Sequence, residues 1–216
     1  MPYYPMMIKF FHVCFGLLLL AAGRDGYCAT KNLLVLGDSL SAEYGIARGS
    51  GWVAQLQARL QKSHPEYQVI NASVSGETSS GGKSRLPALL KQHQPAIVII
   101  ELGGNDGLRG LPVAALSANL QSMVKDSKAA GARVLLAGMQ IPPNYGQQYT
   151  QKFYAAFATV AQQEKVALLP FLLKGVAENE DLFQADRIHP KQEAHAQILE
   201  NIWPVLSPLL KNTKAK

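Results

Sequence analysis

Ala96-Ile97-Val98-Ile99-Ile100, followed by Gly103-Gly104-Asn105-Asp106-Gly107, is the stretch whose pattern decides the fold. Its first five residues are apolar without a break. A strand with one face in water alternates apolar and polar residues. A strand covered on both faces stays apolar throughout, as in a parallel sheet between two layers of helices. The glycines then punctuate the end of the run.

Outward from this run, similar strands alternate with helical patterns. Leu33-Leu34-Val35-Leu36 is a buried strand ended by Gly37. Gln68-Val69-Ile70 and Arg133-Val134-Leu135-Leu136-Ala137 are two more, and a fifth lies near Val166–Leu169. Apolar positions 52, 53, 56 and 60 give Trp52 to Lys62 helical spacing. Further helices are expected over Arg85 to His93, over Val113 to Ala130 with Gly131 as the exit residue, and near Tyr149–Glu164. A last helix is expected from Lys191 to Leu210, bent or split by Pro204. Such alternation predicts an α/β fold, a three-layer α/β/α sandwich around a mainly parallel five-stranded sheet with right-handed crossovers. Open sheets of this kind bind ligands beyond the carboxyl ends of their strands, so functional residues should follow strands.

Four polar clusters do. Gly37-Asp38-Ser39-Leu40-Ser41 comes straight after the first strand, where a serine hydroxyl is exposed at the sheet rim near a helix start. Alone, it is equally a helix cap. Asn71-Ala72-Ser73-Val74-Ser75-Gly76-Glu77-Thr78 follows the second strand, and its glycine could offer an unobstructed backbone N–H. In Gly103-Gly104-Asn105-Asp106-Gly107 the Asn side chain can donate toward a developing oxyanion, although a tight turn also explains the run. Asp186-Arg187-Ile188-His189-Pro190 holds a general base with a carboxylate three residues earlier that can fix its tautomer, or else is a surface turn. Taken together, the clusters supply nucleophile, oxyanion donors, base and base-orienter, one part per segment and all on one rim.

This set of blocks resembles the SGNH (GDSL-type) hydrolases, over about residues 33 to 210. Ile100-Glu101-Leu102-Gly103-Gly104-Asn105-Asp106-Gly107-Leu108-Arg109-Gly110 and Ile141-Pro142-Pro143-Asn144-Tyr145-Gly146 look like its bacterial periplasmic branch, variously called thioesterase I, lysophospholipase L1 or arylesterase. The resemblance implies a flavodoxin-like sheet and the following roles. Ser39 is the nucleophile and gives its own N–H to the oxyanion hole. Gly76 gives a second N–H and Asn105 a side-chain donor. His189 is the base, Asp186 orients it, and Asp38 holds the nucleophile turn. Glu43 departs from the small residue that relatives often carry there, which bears on the local turn. No G-x-S-x-G elbow is present, which argues against the α/β-hydrolase fold.

The implied reaction is hydrolysis of carboxylic esters, and of thioesters, through an acyl-serine. A carbohydrate acetylesterase and a non-catalytic α/β binding module are the alternatives. Leu108, Leu111, Pro142 and Tyr145, in loops expected to border the site, are candidates for an acyl groove. No cofactor or metal is expected. The lysine and spacing of a Walker motif are missing, and His189 and His195 lack further ligand spacing. His195 is expected on a helix face.

The 216 residues, 48% hydrophobic and 17% charged, suit one globular domain with a real core. The net charge is +6 with histidine neutral, and the cations are spread without aromatic interleaving, so no nucleic-acid partner is expected. Lys9 precedes an apolar run from Phe10 to Ala22 and a small-residue exit, the pattern of a secretory signal peptide. The run is short for a membrane span, which wants about 20 apolar residues. Residues 1–29 are thus expected as the signal and 30–216 as one hydrolase domain, with cleavage after Ala29 or Gly23, or retention as an anchor, left open. The expected product is periplasmic or secreted, monomeric and without a membrane span, acting on small acyl esters or thioesters including lysophospholipids. Cys14 and Cys28 lie at or before the boundary, so no internal disulfide forms and packing alone holds the domain.

Overall fold

Five strands, β1 (Lys31–Gly37), β2 (Tyr67–Asn71), β3 (Ile97–Glu101), β4 (Arg133–Ala137) and β5 (Ala167–Leu169), make one sheet in the computed structural model, which describes Met1 and residues 30–211. Their order is β2-β1-β3-β4-β5 and every pair is parallel, the flavodoxin-like arrangement. All five residues of β3 are buried, as an unbroken apolar run between two helical layers requires. The anticipated signal peptide lies outside the described residues apart from Met1. No helix among the described residues is long and apolar enough to cross a membrane.

The helices are α1 (Trp52–Ser63), α2 (Ser79–His93), α3 (Gly104–Leu108), α4 (Val113–Ala129), α5 (Gln147–Glu164) and α6 (His195–Leu210). From β1 to β2 the chain moves one way across the sheet, and from β2 to β5 it moves the other. Right-handed crossovers then place α1 opposite α2, α4 and α5. Accordingly α4 packs on both α2 and α5, while α6 returns to pack on α1. The reversal lies between β1 and β3, whose ends stand side by side through the pairing Gly37↔Glu101. The loops after these two strands therefore open a crevice at the carboxyl rim.

Three helices differ from the sequence expectation, the first being α3, which stands where only a glycine turn was expected. α2 begins at Ser79, six residues before Arg85, because Thr78 caps it and Gly82 replaces apolar periodicity with close approach. A Cβ at Gly82 would stand 2.2 Å from Leu102 Cδ1. α6 begins at His195, after a short 3₁₀ turn (Gln192–Ala194), and is not split: it runs through both Pro204 and Pro208. These prolines lie four apart on the exposed face, so the carbonyls they leave unbonded meet water.

Candidate active site

No helix starts at Ser39. Residues 39–45 form successive turns, and α1 begins only at Trp52, so a helix cap does not account for the motif. Asp38, 2% exposed, organises the turn: Oδ1 accepts the Leu40 N–H at 3.0 Å, and its carbonyl accepts the Ser41 and Ala42 N–H groups. Beneath it Glu101 is fully buried, its Oε2 accepting the Ser41 hydroxyl at 2.6 Å and the Asp38 N–H at 3.3 Å. Burial pushes the Asp38 carboxyl up to about 6, against the pull of the Leu40 N–H and the Asn105 amide. Burial, and then the charge of Asp38, drives Glu101 well above the carboxylate range. Glu101 thus supports the turn from beneath through its bonds to Ser41 and Asp38.

The general-base candidate sits at the tip of a short antiparallel pairing. Phe183 bridges Pro190, Gln184 N–H donates to the His189 carbonyl at 2.8 Å, and Lys191 N–H donates to that of Leu182 at 2.7 Å. Within the tip, Asp186 Oδ1 accepts the N–H groups of Ile188 (2.9 Å) and His189 (3.0 Å), while Oδ2 lies 2.7 Å from His189 Nδ1. Partial desolvation would raise this carboxyl, but the bonds from His189 and Ile188 outweigh it and hold Asp186 at about 2. An ionised carboxylate only accepts, so Nδ1 carries the imidazole proton and Nε2 is left as the acceptor. Nε2 stands 2.9 Å from Ser39 Oγ. Serine, histidine and aspartate thus form one continuous hydrogen-bonded chain across residues 150 positions apart.

Asn105 lies on α3, which Gly103 introduces at φ +119°, a left-handed backbone where a Cβ would also press on Leu116 and Phe157 at 3.0 Å. The Asn105 amide donates to Asp38 Oδ2 at 3.0 Å, leaving its second N–H to donate elsewhere. Gly76 has φ +78°, and a Cβ there would meet only Arg109 Nη2, in ordinary contact at 3.9 Å, so conformation rather than crowding calls for glycine. The Val74 N–H donates to the Gly37 carbonyl at 3.0 Å, which ties the Gly76 loop beside the nucleophile turn. Among the described residues neither the Ser39 nor the Gly76 N–H has an acceptor. Both remain available to an incoming oxyanion.

A cleft of about 670 Å³ opens from Ser39, Asn105 and His189. Leu108 and Pro142 line it, and so do Met139, Phe171, Leu173 and Phe183, which the sequence did not single out. Leu111 and Tyr145 are not on its walls. The Tyr145 hydroxyl instead donates to the Leu108 carbonyl at 2.9 Å, and that of Tyr149 to the Leu111 carbonyl at 2.7 Å. They buttress the loop that carries Leu108.

Several supporting residues escaped sequence reasoning. The Tyr44 ring packs on the His189 imidazole at 4.3 Å between centroids, and Gln184 Nε2 donates to the carbonyls of Tyr44 and Pro190. No local pattern marks either, because the contact spans about 140 residues. Asp106, inside a quoted block, accepts the Ser79 N–H at 2.8 Å and so fixes the start of α2 to α3. Glu43 accepts N–H groups of Gly49 and Gly51 and closes the loop before α1, apart from the Ser39–His189–Asp186 chain. His195 opens α6 as a buried residue whose Nδ1 accepts the Trp52 N–H at 3.1 Å. No group of three or more metal-ligating side chains occurs among the described residues.

Comparison with known proteins agrees with this geometry. The sequence profile of the GDSL-like Lipase/Acylhydrolase family matches residues 35–197. Esterase TesA of Pseudomonas aeruginosa (strain PAO1) is 52% identical over 197 residues, covering 91% of this chain and 96% of that one. Thioesterase 1/protease 1/lysophospholipase L1 of Escherichia coli (strain K12) is 42% identical over 199 residues, covering 92% and 93%. The crystal structure of the psychrotrophic esterase EstA from Pseudoalteromonas sp., inhibited by monoethylphosphonate, superposes with a TM-score of 0.80 at 41% identity, over 84% of this chain and 100% of that one.

Proposed function

Because the chain belongs to the GDSL-like lipase/acylhydrolase family, we propose that it is a serine hydrolase cleaving carboxylic esters, and acyl thioesters, through an acyl-Ser39 intermediate. The single observation that carries this is the chain Ser39 Oγ···His189 Nε2 (2.9 Å) and His189 Nδ1···Asp186 Oδ2 (2.7 Å). As Ser39 attacks the substrate carbonyl, Nε2 takes its proton, and the ionised Asp186 stabilises the imidazolium that results. The N–H groups of Ser39 and Gly76 and the free Asn105 amide proton receive the negative oxygen. Asp38, bonded to both the Leu40 N–H and the Asn105 amide, sets nucleophile and oxyanion donor at a fixed relation. His189 then returns the proton to the leaving alcohol or thiol, and water repeats the cycle on the acyl-enzyme.

The predominantly apolar walls of the cleft, Leu40, Leu108, Ile141, Phe171, Leu173 and Phe183 among them, favour acyl chains over acetylated sugars. Lysophospholipid is a fitting natural substrate of that class. Residues 1–29 act as an export signal in this proposal, leaving residues 30–216 as one monomeric hydrolase domain that is periplasmic or secreted.

A rate panel on the processed protein tests the function. It compares p-nitrophenyl esters of rising chain length, acyl-CoA, lysophospholipid and acetylated xylan, with Ser39→Ala as control. Turnover of acyl esters and thioesters that Ser39→Ala abolishes is expected, while a preference for acetylated glycan would favour a carbohydrate acetylesterase. The mass of the periplasmic form reports whether residues 1–29 have been removed.

A further inference from the structure

Two of the three proposed oxyanion donors stand on separate segments, of which the Gly76 loop is exposed and the Asn105 helix is packed. Gly76 is in the loop after β2, and Asn105 is in a helix of five residues after β3. A short exposed loop does not hold its donor still unless something joins it to a packed segment. Arg109 does so. Its backbone N–H caps α3 by donating to the Asn105 carbonyl at 3.2 Å, and its guanidinium Nη2 donates to the Gly76 carbonyl at 3.0 Å. One residue is thus bonded to the main chain of both donors.

The bond to Gly76 falls where the loop has least support of its own. Ala72 N–H donates to Val35, Val74 N–H to Gly37 and Glu77 N–H to Val74, so the chain is tied on either side of Gly76. The Gly76 carbonyl is held only by Arg109 among the described residues, at a residue with φ +78° and no side chain to restrict it. Meanwhile the Tyr145 and Tyr149 hydroxyls hold the carbonyls of Leu108 and Leu111 on the other side of Arg109, so the arginine reaches from a braced base.

We infer that Arg109 is a positioning residue that locks Gly76 and Asn105 into one preorganised oxyanion-binding unit. It touches no reacting atom. Its effect is to keep the Gly76 N–H aimed at the site, where preorganised donors act without reorganising during the reaction. The inference rests on Ser39 as nucleophile and on Gly76 and Asn105 as oxyanion donors.

The test is steady-state hydrolysis of p-nitrophenyl butyrate by wild type, Arg109→Ala and Arg109→Lys, each also in a Gly76→Ala background. Arg109→Ala should lower kcat about 10-fold, the scale of losing a partner that orients a working group, with KM changed by less than about twofold. Added guanidinium ion should restore part of that loss in Arg109→Ala and none in wild type. Arg109→Lys, which keeps the charge but not the planar fork, should fall with the alanine variant. In the Gly76→Ala background Arg109→Ala should cost little more, because both changes act through one loop. Unchanged kcat, a rise confined to KM, a wild-type lysine variant or full additivity with Gly76→Ala would each overturn the inference. Persistent hydrolysis by Ser39→Ala would instead overturn the proposed function, whatever Arg109 does.

Discussion

Asn105 has two amide protons and two tasks. One proton is bonded to Asp38 Oδ2 at 3.0 Å, which fixes the side chain, and the other is the donor assigned to the oxyanion in the proposed reaction. Removing the amide therefore takes away a donor and its alignment but little packing, since α3 is held by Asp106, Arg109 and Gly103. Asn105→Ala is expected to lose about 10²–10³ in kcat, the usual toll for one oxyanion donor, with its melting temperature nearly unchanged. A variant that keeps more than about a tenth of wild-type turnover would remove Asn105 from the hole. At this scale the sequence was legible where chemistry dictates residue type. Ser39, His189 and Asp186 stand out as candidates because few other residue types could do that work, and they sit in short blocks, one after β1 and one before α6. Glu101, Tyr44, Gln184 and Arg109 were not recognised, since their roles come from partners far along the chain.

Elements follow the same division. β3 was readable because burial on both faces makes its first four residues, Ile97 to Ile100, apolar without a break, the buried Glu101 coming only at its end. α2 was readable only from Arg85, because its first turn, Ser79-Ser80-Gly81-Gly82, packs by the absence of side chains. Apolar periodicity cannot report a face that is buried through glycine. The cost of filling that face is testable. Gly82→Ala places a Cβ 2.2 Å from the Cδ1 of the fully buried Leu102, which must swing away. The substitution should destabilise the protein by about 1–3 kcal/mol despite alanine's better helix propensity. Thermal unfolding would show a loss of several degrees, whereas exposed Ser80→Ala in the same turn should stay within about 0.5 kcal/mol of wild type. Equal midpoints for the two variants would mean that the contact of Gly82 with Leu102 is looser than described.

For the whole molecule, the order β2-β1-β3-β4-β5 is what makes the site possible. It brings the ends of β1 and β3 together at the reversal, and it also buries two acids, Asp38 and Glu101, beneath the nucleophile turn. Those acids give folding a pH dependence. A carboxyl whose folded value is raised binds its proton more tightly in the folded state. Asp38 therefore contributes stability that is fully present below its ordinary value of 3.8 and is lost as pH rises through about 6, and Glu101 extends that loss to higher pH. Asp186, held at about 2, does the reverse: its contribution is present above 3.8 and is lost only as the pH falls toward 2. Between pH 5 and pH 8 the melting temperature of wild type should fall relative to that of Glu101→Gln, which cannot ionise at this position. Parallel curves for the two proteins would contradict the burial of ionisable acid under Ser39.

The central claim, that Ser39 is the nucleophile activated by His189, is tested most directly by intact-mass and peptide mapping after reaction with a fluorophosphonate. The account predicts one covalent phosphonyl adduct per chain, located on the peptide that contains Ser39, formed together with loss of esterase activity and absent in Ser39→Ala. An adduct on any other residue, or ester hydrolysis that survives in Ser39→Ala, would contradict it.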